Sequence, residues 1–202
     1  MRHILFPAAF LLFSISAYGQ TAGAQPCTLK LSQAPAVRGV KLDMTVDELF
    51  AMFPGLSERV GSLVNAEGYP NFGFTSFGIT PSNYSTKDRF VGIDQYYVRL
   101  FDRRVVSLDV NYPPFPTGAR WRNTDDLVQI FAESLHLPSS KSWAVEEGYP
   151  RRKLDCDGFQ IAVSAANDRT NIGFTNKNAG WEKTQKERLA AFEEQKRREF
   201  KP

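Results

Sequence analysis

The chemically versatile side chains of this chain are few. Two histidines occur, His3 and His136, and two cysteines, Cys27 and Cys156. A Ser-His-Asp triad needs an imidazole held between a nucleophile and a carboxylate. His136 falls instead in the last turn of an expected helix, where a cation complements the helix dipole, so we read it as a capping or surface residue. One such histidine and two cysteines cannot supply a zinc set. Asp155-Cys156-Asp157-Gly158 contains the D-x-D-G core of a calcium loop. Setting Asp157 at position five puts Lys153 at position one and Ser164 at position twelve, both wrong for the ion, and a tight turn is the better reading. Neither GxGxxG nor GxxxxGK[ST] occurs, so no phosphate cradle is indicated. Glu67 and Glu147, each opening a Glu-Gly-Tyr-Pro turn, could form a glycosidase pair only at the right separation. No cofactor is expected.

What remains suits contact more than bond-breaking. The aromatics Phe72, Phe74, Phe77, Tyr84, Tyr96 and Tyr97 could line a groove or an interface. Tyr69, Tyr84, Tyr97 and Tyr149 are the candidate interaction surface.

Compartment follows from the N-terminus and the thiols. Arg2 and His3 precede an apolar run over Ile4–Ala17, and Ala22-Gly23-Ala24 offers small residues for cleavage, with Ala17-Tyr18-Gly19 as a second site. Residues 1–24 are thus expected to be a secretory signal. The run is shorter than the roughly 20 residues of a membrane span, and no later stretch approaches one, so no transmembrane segment is expected after signal removal. About 178 residues then remain, with a net charge of +2 once Arg2 is gone. That is enough for one domain, and the balance does not call for nucleic acid. In an oxidising compartment Cys27 and Cys156 are expected to pair, with two free thiols as the alternative.

The elements that must position these residues form a repeated plan. Thr45-x-x-Glu48 reads as a capping box, and Leu49, Met52 and Phe53 make an apolar stripe that ends at Pro54-Gly55. At a shift of 78, Asp47-Glu48-Leu49-x-x-x-Phe53 meets Asp125-Asp126-Leu127-x-x-x-Phe131, and Thr45 meets Asn123. At a shift of 80, Glu67-Gly68-Tyr69-Pro70 meets Glu147-Gly148-Tyr149-Pro150. Two matches in one order point to a duplicated unit, against the alternative of one good turn sequence used twice. The expected fold is α+β: two tandem helix-plus-antiparallel-sheet units in one domain, 25–202, with a charged C-terminal helix. Unit one covers about 38–116, unit two about 117–177 and the helix about 179–200.

Within that plan, residues 27–41 are expected to be extended, as an edge strand, and 57–65 are ambiguous. Tyr96, Val98 and Leu100 alternate, as do Val106, Leu108, Val110 and Tyr112. Keeping both sets on one face predicts Leu100 opposite Val106 and a three-residue loop, Asp102-Arg103-Arg104. Pro113–Thr117 reads as a stiff linker. A second helix is expected at about 124–136, then strands near 142–145, 153–156, 159–165 and 171–175. In the last helix Glu182–Lys186, Lys183–Glu187, Glu193–Arg197 and Glu194–Arg198 are spaced for ion pairs.

Val40–Phe53, with its Leu-x-Met-Thr-x-x-Glu-Leu-x-x-x-Phe run, resembles the opening of the SmpA/OmlA family of small outer-membrane lipoproteins. There, Gly-Met-Thr-x-x-Glu-Val begins the first helix. Asp43 stands where the family has Gly, and no lipobox cysteine is present. The duplicated helix-and-sheet plan is similar to the β-lactamase-inhibitor-protein fold. These resemblances imply a non-catalytic envelope protein working through its surfaces, and transfer no site residues. The reading is an exported interaction protein, periplasmic or secreted, whose partner is a protein or peptide of the envelope. The alternatives are an exported inhibitor of a hydrolase and a carboxylate-dependent hydrolase using Glu67 or Glu147.

Overall fold

The computed structural model describes residues 26–65, 72–113, 123–166 and 169–200. The leader, Tyr69, Glu67, the first Glu-Gly-Tyr-Pro turn, most of the expected linker and the turn at Asn167-Asp168 lie outside the described residues. Two helices open the first half, α1 (Val46–Met52) and α2 (Leu56–Val64), followed by strands β1 (Phe74–Ile79), β2 (Gln95–Phe101) and β3 (Arg104–Tyr112). The second half has helix α3 (Thr124–Ser134) and strands β4 (Ala144–Val145), β5 (Arg151–Asp155), β6 (Phe159–Ala166) and β7 (Arg169–Asn176). Helix α4 (Trp181–Glu199) follows β7. One antiparallel sheet runs in the order β1-β2-β3-β7-β6-β5-β4. Helix then meander therefore occurs twice, and the two meanders join where β3 meets β7. This is the α+β, twice-built plan expected from the sequence.

The capping box forms as read. Glu48 N–H donates to Thr45 Oγ1 (3.2 Å) and Thr45 N–H to the Glu48 carboxylate (2.7 Å). Donation to that carboxylate from Thr45 N–H first, and then from the Thr45 hydroxyl (2.9 Å), holds the Glu48 carboxyl below its ordinary range. The Asn123 side chain caps α3 by accepting from Asp126 N–H (2.9 Å). After Pro54, Gly55 takes a left-handed φ of 88° and starts α2, which resolves the ambiguous stretch as helix. At the other end of α3, His136 takes φ 53°. Its N–H reaches the Glu133 carbonyl (3.4 Å) and Leu137 N–H the Ala132 carbonyl (2.9 Å), a Schellman termination. His136 is exposed, as a helix-terminating residue should be.

The core lies on one face of the sheet. Tyr96, Val98 and Leu100 of β2, Leu108 and Val110 of β3, Ile161 and Val163 of β6, and Ile172 and Phe174 of β7 point into it. Leu49 of α1 and Leu127, Val128 and Phe131 of α3 pack against them. Phe53 stacks on Phe90 at 4.6 Å and meets Tyr84 and Tyr96 edge-on.

Two expectations fail here for one physical reason. Leu100 pairs with Val105, not Val106, and the loop is the two residues Asp102-Arg103. Their φ of 45° and 62° are those of a type I′ turn. Val98 still faces Leu108 and Tyr96 faces Val110, because a bulge after Arg99–Ser107 absorbs Val106. Val105 enters the core cluster and Val106, though buried, does not. The cause is a third strand-like segment. Asp43 N–H donates to the Val105 carbonyl (2.8 Å), Val105 N–H to the Met44 carbonyl (2.9 Å), and Val46 N–H to the Arg103 carbonyl (2.8 Å). The start of β3 bonds to residues 43–46, so its ladder to β2 must shift there. The expected edge strand over 27–41 is likewise absent. That stretch makes a 3-10 turn at Leu31–Gln33 and isolated bridges Lys30–Asp157 and Val37–Val40. Pro35 and the Arg38-Gly39 turn interrupt any ladder.

Cys27 and Cys156 form the disulfide, with Cα atoms 4.6 Å apart. It ties the N-terminal segment to the β5–β6 turn, where Gly158 at φ 87° makes the bend that the calcium-like motif encodes. No described helix is long and apolar enough to cross a membrane.

Candidate functional site

Two surfaces stand out; strand register places the first, and packing of loops against α3 and the end of β3 makes the second. The first is the sheet face away from the core. Tyr97, Asp109, Gly173, Ala162 and Lys153 stand side by side across β2, β3, β7, β6 and β5. The neighbouring rows bring up Arg99 beside Ser107, and Asn111 beside Asn171 and Ser164. Gly173 matters for shape: a Cβ there would come within 2.7 Å of Asp109 Oδ1, so the missing side chain seats the carboxylate in the middle of the face. Burial pushes the Asp109 carboxyl up, with Arg99 and Arg151 opposing. Tyr97 is 36% exposed, donates to Ser76 Oγ (3.1 Å), and lies under the Arg99 guanidinium at 5.7 Å. Asn171 donates to Asn111 Oδ1 (2.9 Å). Glu146 pairs with Lys153 (2.9 Å) and, more loosely, with Arg151 (3.8 Å). The face is thus a polar floor of small residues ringed by long charged ones.

Helix α4 meets this side of the sheet at its β1–β2 end. Trp181 stacks on Phe74 at 4.7 Å, Arg188 grips Asp102 through both guanidinium nitrogens (2.7 and 2.8 Å), and Phe192 meets Phe72 at 5.6 Å. No residue of α4 is buried. Of the expected i,i+4 pairs, Lys183–Glu187 and Glu194–Arg198 close, at 3.8 and 3.1 Å.

The second surface is a cleft of about 710 Å³ at the seam between the halves. Its walls are apolar, with Val37, Val91, Ile93, Pro113, Phe131 and Leu135, and Arg38, Tyr112 and Ser134 supply its polar atoms. Burial pushes the Tyr112 hydroxyl up, and the nearby Arg38 charge opposes the rise.

The sequence-derived candidates scatter. Tyr97 belongs to the open face. Tyr149 is 69% exposed in the β4–β5 turn, away from Tyr97. Tyr84 must be struck from the interaction surface: it is 6% exposed, with its ring against Phe53 and its hydroxyl accepting from Arg59 (3.2 Å). Glu147 is exposed in its turn and lines neither surface. Among the described residues no cluster of His, Cys, Asp and Glu could hold a metal. Asp109, Arg99, Arg38 and Tyr112 were missed because nothing local marks them. The alternation along β3 could have put Asp109 on the polar face, but not over a glycine of β7.

No protein-family model, curated protein or solved structure matches the chain.

Proposed function

We propose that this is an exported, non-catalytic binding protein of the cell envelope, periplasmic or secreted, and that it engages a protein or peptide through the open sheet face. One observation carries the reading. Helices α1 and α3 pack on one side of a seven-stranded sheet, and on the other side α4 packs against the β1–β2 end. The rest presents Tyr97, Arg99, Asp109 and Asn111 with small residues between them, a mix of amphipathic and paired polar groups suited to a partially wet interface. The disulfide supports an oxidising setting, and the resemblance of the first capped helix to the SmpA/OmlA opening supports an envelope one.

The test is photo-crosslinking in envelope extract. A photoreactive phenylalanine replaces Tyr97, or replaces Leu63, which is 46% exposed on α2. The expected result is one discrete adduct from position 97, none from 63, and competition by unlabelled protein. Equal or absent labelling at the two positions defeats the proposal.

A further inference from the structure

We propose that the seam cleft is a second binding site, for a small amphiphile with one carboxylate on an apolar body. This does not rest on the sheet-face reading. A volume of about 710 Å³ lies in the range that holds a single drug-sized molecule. Val37, Val91, Ile93, Phe131 and Leu135 supply apolar walls, and Val91 stands 69% exposed at the rim. Such surface loses water favourably when an apolar body covers it.

Charge selects the head group. Arg38 is the one formally charged residue among the lining residues, and no acid accompanies it. Its guanidinium has no ion-pair or hydrogen-bond partner among the described residues, and neither has the Tyr112 hydroxyl. A guanidinium and a phenol together offer a carboxylate charge-assisted donors, while an ammonium head would meet only repulsion.

The turn that carries Arg38 is fixed in place. It sits at φ 53°, followed by Gly39 at φ 93°. The turn is closed by Val37 N–H to Val40 O (2.8 Å) and Val40 N–H to Val37 O (3.1 Å). Tyr96 pins it from below, its hydroxyl donating to the Val37 carbonyl (3.1 Å). A left-handed position suits Asn or Gly, and a long side chain is strained there.

The experiment uses decanoate as the probe, with decanol as its uncharged match, titrated calorimetrically below micelle concentrations into the signal-free protein. Decanoate is expected to bind saturably, and decanol about tenfold or more weaker. Arg38→Asn keeps a residue that tolerates the left-handed turn, so its melting temperature should equal or exceed the wild type. Its decanoate affinity should fall about tenfold or more while decanol is unchanged. Val91→Asp, an exposed rim position, should weaken decanoate in an otherwise stable protein. Decanol binding as well as decanoate, Arg38→Asn leaving decanoate binding intact, or no saturable binding overturns the proposal. So does a peptide with a free apolar C-terminus binding where decanoate does not.

Discussion

The disulfide allows the sharpest test of how this fold is held. Cys27 and Cys156 are 129 positions apart. In the chain-entropy model, releasing a loop of that length returns about 5 kcal/mol of freedom to the unfolded ensemble at 25 °C. Both cysteines are buried, at 8% and 7% exposure, so Cys27→Ala with Cys156→Ala is the fitting variant, since serine would bury two hydroxyls. That entropic figure is an upper one, and the expected loss is about 3–5 kcal/mol, set against total stabilities of about 5–15 kcal/mol for ordinary domains. For a chain of this size, the melting temperature should fall by about 6–20 °C. Urea titration adds a second signature: without the cross-link the unfolded state expands, so the m-value should rise. The reasoning assumes that the N-terminal segment unfolds together with the sheet. Its basis is that Val37, Val40, Leu42 and Met44 are buried in the shared core and that Tyr96 bonds the Val37 carbonyl. A loss below about 1 kcal/mol with an unchanged m-value would refute it. Residues 27–40 would then be peeling away before the sheet opens, and the bridge would close no loop within the cooperative unit.

Thr45→Ala removes the acceptor of the capping box and should cost about 1 kcal/mol by urea midpoint; an unchanged midpoint means the cap is dispensable. Asp109→Asn tests the sheet face electrostatically. Burial raises the folded-state pKa of Asp109 above its ordinary 3.8, so the folded protein binds that proton more tightly than the unfolded chain does. Stability is therefore lost as pH rises through the raised value. The variant should be more stable than wild type at about pH 7, and the gain should shrink towards about pH 3, where both states are protonated; a gain that instead grows on acidification contradicts the reading. Trp181→Ala removes the stack on Phe74 from a helix with no buried residue, so hydrogen exchange of α4 amides should accelerate while amides of β3 and β7 keep their protection. Equal acceleration in both places would mean that α4 belongs to the same cooperative unit as the sheet.

Local chemistry alone was enough for the helix caps and the amphipathic faces. Thr45 and Glu48 lie three apart, so one side chain reaches the other's backbone whatever the rest of the chain does. The repeated Asp-x-Leu-x-x-x-Phe spacing places an apolar stripe on α1 and α3 wherever they pack. Alternation in β2, β3 and β6 divides core from surface, because a strand's period is two. The cysteine pairing was legible from the count and the expected oxidising compartment. What spacing along the chain cannot express is competition between distant segments. Residues 43–46 bond to the start of β3 and force the bulge at Val106, and no pattern within either segment announces that. Tyr84 reads as a surface aromatic in a polar loop until Phe53 and Arg59 are found beside it. The joining of β3 to β7 sets Asp109 over Gly173, 64 positions away in sequence, and the packing of the N-terminal turn against the end of β3 brings Arg38 to Tyr112. The open face is made of neighbours that only closure of the single sheet brings together, because hydrogen-bond register, not sequence distance, decides which side chains share a face; the cleft is made of turn and α3 residues that only packing at the seam brings together.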